Sequence, residues 1–580
     1  MTVTKRMRPP SVQRRRWRQR LLAWIRRWLF AFALCTLVLV AAPCAAQEDS
    51  EAMEESSFTV NAAMKFQGGL FVPLLSSGFS PHENRAVTRT ANFDGGPCDP
   101  VVTPREPCFP RDHGQKPGTP SITRAMLQIE AHWDFTSKIA LHAIVRGTRG
   151  MELPADEYAQ VPTMLERLPG ETDEALSARR RAYSKRWVRD NQYNTFELRE
   201  FYVDLLPWNW LGLRVGRQQV AWGETGSFRL LDVVNPINST WHFAPLESFE
   251  DQRIPLWMAL ATFDVPKLAG ALDLLYIPGL DRARDTVSTP LSMAGAWGVP
   301  YSNRPGRFEI REKDFRYPGG ELSPDNMRYG ARWKGDIGAN FTYSLVYMYT
   351  HMSTPVIRRV DLARTSTGAI VSTVADRATF EFPRQHIAGL SMEYAFPSPI
   401  ATTVRLEAAY EPNRSYSVRT DLEASGVNGV ITFPAPQKHV LNYALVVQRP
   451  TMIRWLNPTQ NFMLVAQFQH TTAFDLDPTE NLVQVIGYND WAAQKNAYTV
   501  SAMATTQYLR GLIVPRLIAA YIVNPYYEDS GFVSFDVGFR VGPHYRFNVT
   551  VTDFIAKNAY RDLGLFRDRD EVHASATLLF

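Results

Sequence analysis

The sequence predicts an all-β protein, a transmembrane antiparallel β-barrel of about eighteen strands (range roughly 16–20) with long extracellular loops and short periplasmic turns. Three observations carry the prediction. The chain opens on a basic and then apolar leader. It ends on a strand-like segment that terminates in Phe580. Between them, apolar residues recur at every second position, and the links between such segments alternate long and short.

Ten basic residues precede position 28 with no acid among them, followed by WLFAFALCTLVLVAA (28–42) and PCAAQEDS. A basic region, an apolar core and a small-residue site describe a secretory signal peptide. Cleavage after Ala46 makes 1–46 the leader, 47–57 a short periplasmic segment and 58–580 the barrel with its loops. The apolar run is shorter than the ~20 residues of a spanning helix, which argues against a membrane anchor. Cys44 raises a lipoprotein, but Pro43 before it departs from that pattern. The leader also explains the charge. The chain has 63 Lys+Arg and 58 Asp+Glu, and losing the ten leader bases leaves 53 against 58. The remainder is mildly acidic and points away from nucleic acid.

At the other end, in EVHASATLLF, Val572, Ala574, Ala576, Leu578 and Phe580 form one alternating face. A terminal Phe with Leu578 two residues before it looks like the signal read by the barrel-assembly machinery. Earlier, LQIEAHWDF (127–135) sets Leu127, Ile129, Ala131, Trp133 and Phe135 against Gln128, Glu130, His132 and Asp134. Segments of this period and length suit tilted membrane strands. Such spans lie near 58–66, 123–135, 138–147, 194–206, 210–222, 255–265, 268–277, 326–335, 338–351, 384–396, 400–411, 438–449, 460–471, 497–508, 513–523, 531–541, 544–553 and 571–580. Their links are short at TSK, LPWNW, VPK, GDI, PSPI and VGPH, and long at 67–122, 148–193, 223–254, 278–325, 352–383, 412–437, 472–496 and 554–570. A soluble sandwich has no reason to keep that asymmetry, whereas lipid compels strands into a closed sheet. The short stretch between leader and first strand argues against a plug or passenger domain.

Cys98 and Cys108 stand in the first long loop, where an oxidising compartment favours a disulfide over two free thiols. Their spacing and Pro-rich filler do not make a metal site.

GRQQVAWGET (216–225) has glycines near both ends but matches neither a P-loop nor a dinucleotide turn. In barrel register, Glu200, Tyr202 and Asp204 face the lumen from one strand, and Arg214 faces it from the next. Strict alternation then sends Arg217 and Gln219 into lipid, which is costly. A one-residue bulge near Gly216 is therefore expected. It turns Arg217, Gln219 and Ala221 inward and leaves Val220 and Trp222 facing out. Arg214 and Arg217 are expected to meet Glu200 and Asp204 in a charged ladder, as a selectivity element or as charges that only satisfy one another.

The link 223–254 is too apolar for an exposed loop, with FRLLDVV, Trp241, Phe243 and Phe249. It is expected to fold into the barrel mouth, lined by Arg229, Asp232, Asn235, Glu250, Asp251 and Arg253. The alternative is an outer loop packed on its neighbours. A basic stretch at 174–191, with Arg179, Arg180, Arg181, Lys185, Arg186 and Arg189, suits lipopolysaccharide phosphates or is a solvated charge run. No spacing of His, Ser and Asp picks out a catalytic set, so no enzyme, cofactor or metal is expected.

LREFYVDLLPWNWLGLRVGRQQVAWGET, LLDVVNPIN, EDQRIPLWM, NFMLVAQFQH and GLFRDRDEVHASATLLF resemble the proteobacterial outer-membrane family catalogued as domain of unknown function 1302. The likeness extends over most of the mature chain and less well over 67–122 and 148–193. It implies porin-like architecture and passage of hydrophobic compounds or lipids. For some members it implies work with efflux pumps of the resistance-nodulation-division type. It carries over no catalytic residue. The reading is an outer-membrane channel narrowed by an inward loop. Its alternative is a receptor, adhesin or structural barrel acting through its long loops.

Overall fold

The computed structural model describes residues 56–72, 120–150, 194–224, 229–238, 241–279, 323–353, 355–362, 377–418, 429–483, 493–523, 529–556 and 569–580, with isolated positions between them. Eighteen strands form one sheet. They are β1 Ser57–Phe71, β2 Pro120–Thr136, β3 Ile139–Gly150, β4 Asn194–Trp208, β5 Leu211–Gln218, β6 Leu256–Val265, β7 Gly270–Ile277, β8 Arg328–Ile337 and β9 Phe341–His351. The second half is β10 Arg384–Phe396, β11 Thr402–Ser415, β12 Gln437–Thr451, β13 Phe462–Ala473, β14 Asn496–Thr505, β15 Ile513–Val523, β16 Ser530–Val541, β17 Tyr545–Ala556 and β18 Glu571–Leu579.

Each strand pairs antiparallel with its neighbour in sequence, and β1 pairs with β18 from Ala63↔Leu579 to Phe71↔Glu571. Past the last strand, Phe580 N–H donates to the Ala62 carbonyl at 2.8 Å, completing the seam. The barrel is closed, and every expected span coincides with one of its strands. No described helix is long and apolar enough to cross a membrane. The crossing is made by strands, whose closure pairs their backbone groups internally.

Alternation sets the two faces. In β12, Leu441, Tyr443, Leu445 and Val447 point out, between buried Val440, Asn442, Ala444 and Val446. One end of the barrel carries brief turns such as 137–138, 209–210, 338–340 and 542–544. The other carries the long connections, the link 524–529 being short. Aromatic belts mark both ends, as they do at membrane interfaces. Near the short turns, Trp133 lies 4.0 Å from Phe135, Trp208 stacks 5.5 Å from Trp210, and Trp455 is 83 % exposed. Toward the long connections the belt is tyrosine with imidazole: Tyr347 Oη bonds His386 Nδ1 at 2.8 Å, and Tyr410 Oη bonds His439 Nδ1 at 3.0 Å.

At the long-connection end, Phe315–Arg316, Val356–Leu362, Arg377–Glu381 and Gly429–Thr432 form a separate four-stranded sheet. The leader, Cys98 and Cys108 lie outside the described residues, as do Arg180, Arg181, Lys185, Arg186 and Arg189. Arg179 is described; its guanidinium bonds Glu171 at 2.8 Å.

Candidate functional site

The register of β4 decides how the next strand meets the lumen. Phe196, Leu198 and Phe201 are all exposed on the outer face. Two residues therefore separate Leu198 from Phe201 where alternation allows one. Pairing with β3 jumps from Val145↔Leu198 to Ile144↔Glu200, leaving Arg199 as the extra residue. The bulge is at Arg199, and the one expected at Gly216 is absent: β5 runs in unbroken register there, with Gly216 opposite Tyr202 and Met258. Gly216 has φ +143°, and a Cβ would strike the backbone of Phe201 and Tyr202. Only glycine fits this approach.

Arg217 stands opposite Phe201 and Trp257, both outward-facing, yet it is only 6 % exposed. Its guanidinium ends 3.1 Å from Glu197 and donates to the carbonyls of Leu198 and Pro255. Arg217 thus takes Glu197, not the expected Glu200 or Asp204, because the extra residue in β4 shifts which carboxylates come into reach. Arg214 grips Asp204 through two bonds of 2.6 and 2.9 Å and lies 4.3 Å over the Tyr202 ring. Tyr202 in turn stacks on His142 at 4.7 Å. Glu200 accepts from Gln219 at 2.8 Å.

β5 ends at Gln218, four residues earlier than expected. Asn235 replaces the strand ladder. Its Oδ1 accepts from Val220 N–H at 2.8 Å, and its Nδ2 donates to the carbonyls of Ile254 (2.9 Å) and Gln218 (3.3 Å). One buried amide so ties together both ends of segment 219–255. Beyond it the chain leaves the wall, and Val220 and Trp222 do not face lipid as expected. Trp222 is fully buried in an apolar cluster with Val220, Leu230, Leu231 and Val234. That cluster also contains Met258, Leu275, Met348, Ile387 and Ala409 from the inner faces of β6, β7, β9, β10 and β11. Wall glycines make room for it. A Cβ on Gly330 of β8 would collide with the Trp222 ring, and one on Gly389 of β10 with Leu231. Arg332, paired with Asp273 at 2.7 Å, lies 5.8 Å over the Trp222 ring. Fully buried Glu407 of β11 accepts from the backbone N–H of Glu224 (2.8 Å) and Leu231 (3.2 Å).

The return half, 241–253, is held largely by charge. Glu247 accepts two 2.9 Å bonds from Arg124 of β2. Asp251 pairs with Arg146 of β3 at 2.8 Å and with Lys65 of β1 at 3.3 Å. His242 Nε2 lies 2.7 Å from Glu571 of β18. Its Nδ1 is 3.2 Å from Glu247, an ion-pair contact without hydrogen-bond geometry. Burial alone would lower the His242 pKa, but the Glu571 and Glu247 carboxylates outweigh it and push it up to about 9. Burial likewise opposes the charge on Glu247, yet Arg124, His242 and Lys65 hold its carboxyl well below the usual range. A short helix, α1 (Phe249–Gln252), starts on Ser248, whose hydroxyl accepts from Asp251 N–H at 3.2 Å. The bulged Arg199 closes its other end, donating to the carbonyls of Glu250, Asp251 and Arg253, the last at 2.8 Å. Phe243 adds an aromatic anchor 5.1 Å from Phe532 and 5.0 Å from Phe554.

The six expected lining residues are thus spread over both halves. Asp232 takes Arg229 at 2.8 Å and Arg253 at 2.7 Å. Asn235 is the tie, Asp251 is docked on the wall, and Glu250 keeps an exposed side chain. The wall partners Arg124, Arg146, Arg199, Glu407 and Glu571 were not picked out from sequence. For Arg124, Arg146, Glu407 and Glu571 the inward phase follows from alternation, but nothing local couples them to a segment up to 329 residues away; Arg199 shares the outward phase of Phe201 until the bulge displaces it. Among the described residues no group of three or more His, Cys, Asp or Glu is placed to hold a metal ion.

A family model described as "Protein of unknown function (DUF1302)" matches residues 166–580. The chain belongs to this family. The matched span covers β4 to β18 and the whole of segment 219–255, while the first three strands lie before it. No curated protein matches the sequence. Similar solved structures include Acinetobacter baumannii OccAB3, 8 % identical, with 90 % of this chain and 99 % of that one covered and a TM-score of 0.41. Acinetobacter baumannii OccAB2 has the same identity and covers 90 % and 97 % at 0.39. The outer membrane protein OpdK of Pseudomonas aeruginosa is 7 % identical, covers 90 % and 98 %, and scores 0.39. For this DUF1302 member, strand number and closure rest on its own hydrogen-bond register.

Proposed function

We propose that this DUF1302 barrel is an outer-membrane channel whose lumen is narrowed by segment 219–255, with its short turns in the periplasm. The observation that carries the reading is the reach of that segment. It holds β6 to β11 through Trp222, Leu231 and Glu407, and β16, β17, β18 and β1 to β4 through Phe243, His242, Glu247 and Asp251. A loop serving only as an outer recognition surface has no need of contacts around most of the inner wall.

The sector it leaves, β12 to β14, supports an apolar or amphipathic solute. There Val465 and Met503 are cross-strand neighbours on the inner face. Amides and hydroxyls fill the next two rows, Gln467 with Ser501 and Gln469 with Thr499. Such a lining suits the hydrophobic compounds or lipids that the family resemblance implies. A pump of the resistance-nodulation-division type, implied by the same resemblance, would meet the periplasmic turns. Phe580 and Leu578 would serve the assembly machinery, and Phe580→Ala should lower the yield of folded barrel in membranes.

Planar-bilayer recording tests the channel. The wild type should open a small conductance, and deletion of 228–250 should enlarge it. Unchanged conductance would remove the constriction from the reading. A folded barrel that never conducts, even after deletion, would favour the receptor or adhesin.

A further inference from the structure

The outer wall holds a second feature, unconnected with the lumen. Across β12 to β15 the side chains facing the membrane form rows of cross-strand neighbours. Leu445, Phe468, Val500 and Tyr521 make one prominent row, all well exposed. The next row toward the short turns is Val447, Ala466, Ala502 and Ala519. After it come Arg449, Leu464, Ala504 and Leu517. The alanines fall together, and the wall is hollowed there into a groove of about 340 Å³. Strand spacing makes it roughly 14 Å across.

Arg449 stands at one end of the groove, opposite Leu464. It is exposed, and no carboxylate among the described residues pairs with it. No other Lys, Arg, Asp or Glu occupies the outward positions of these four strands. An arginine on the lipid face is costly at mid-membrane and nearly free at the interface. Arg449 lies two residues from the end of β12, at the level of the aromatic belt that includes Trp455. Phospholipid phosphates lie at that depth.

The shape selects the occupant. A second barrel presents a convex wall, which would rest on Leu445, Phe468, Val500 and Tyr521 before reaching the floor. A single methylene chain is narrow enough to reach the alanines, where dispersion contacts are gained on both sides. We propose that this groove is a phospholipid site, with one acyl chain along Ala466, Ala502 and Ala519 and the phosphate held by Arg449. The hydrogen bonds from a guanidinium to phosphate are charge-assisted and directional, so the cation fixes the headgroup while the floor fixes the chain.

Native mass spectrometry of the whole barrel, with dioleoylphosphatidylglycerol added as probe, tests this. The wild type should keep bound lipid through detergent activation. Ala502→Phe, which fills the floor, and Arg449→Gln, which removes the cation, should each weaken retention by roughly fivefold. Arg449→Lys should keep most of it. Inorganic phosphate should not compete, since it offers no chain. Heat-shifted gel mobility reports whether each variant is a folded barrel, and Ala519→Leu replaces Ala502→Phe if that variant does not fold. Equal retention in wild type and both variants overturns the site. So does displacement by inorganic phosphate alone. An oligomer broken by Ala502→Phe with lipid retention intact would assign the groove to a second copy. Channel conductance should be the same in all these variants, which separates this test from that of the lumen.

Discussion

Residues 220–234 and residues 242–253 belong to one segment, yet they hold the wall by different means. The first half buries Trp222 and Leu231 against Gly330 and Gly389; its polar contacts with the wall are backbone N–H bonds to the Glu407 carboxylate and the part-exposed ion pairs of Glu224 with Arg405 and Lys334. The second half places His242, Glu247 and Asp251 against Glu571, Arg124, Arg146 and Lys65. Packing is indifferent to pH and weakly sensitive to salt. Buried ion pairs depend on protonation, and losing one partner strands the other's charge. The two halves should therefore respond to different perturbations, although Asn235 joins their ends.

The largest effect should follow Trp222→Ala. Removing a buried tryptophan should cost about 3–5 kcal/mol. Urea unfolding should show the loss equally at pH 6 and pH 10, and single-channel records should become noisier. A pH-dependent penalty would mean that the two halves are not chemically separate.

Second is the response of 241–253 to alkali. The His242 pKa is raised, so its contribution is fully present below about 6.5 and is lost as pH rises through about 9. Reactivity of a cysteine placed at Phe249, taken relative to one placed at Val233 so that thiol ionisation cancels, should increase across that window. In His242→Gln the rise should disappear. An unchanged profile in that variant would assign the effect to another group.

Asn235→Ala should cost less, about 1–3 kcal/mol, by leaving the Val220 N–H and the Ile254 and Gln218 carbonyls without their partner. Its signature is coupling: both cysteine probes should become more reactive together. If only one responds, the amide is not the joint between the halves. The smallest effect should come from Arg214→Gln. Arg214 and Asp204 are each about a third exposed, so the pair should contribute no more than about 1 kcal/mol to unfolding free energy. A larger loss would place the pair within the docked network.

The strands were legible because each carries its own evidence: period-two alternation over a short window, bounded by turn residues. The apolar content of FRLLDVV, which no solvent-facing loop needs, corresponds to the buried cluster of Leu230, Leu231 and Val234 with Trp222. What could not be read depended on single-residue register or on distant partners. Arg199 looks like any other charged residue in LREFYV, yet as the extra residue of β4 it sends Arg217 to Glu197. Val220 and Trp222 resume the alternation one residue out of phase with Leu211, Leu213 and Val215, a pattern that fits a bulge as well as the end of a strand. Only Asn235, fifteen residues on from Val220, shows that the ladder has ended. Glu407 and Glu571 become part of the site through closure of the barrel, which no local window contains.

The seam between β1 and β18 joins residues 500 or more positions apart, and residues 242–247 bridge it from within. Glu247 reaches Gln67 of β1 and Arg124 of β2, while His242 reaches Glu571 of β18. Loop-closure entropy makes such a joint the slowest to find. A segment already seated on the early strands presents an imidazole where the final strand must arrive. It would then act as an internal jig for barrel assembly, and its loss should delay closure even where the finished wall is stable.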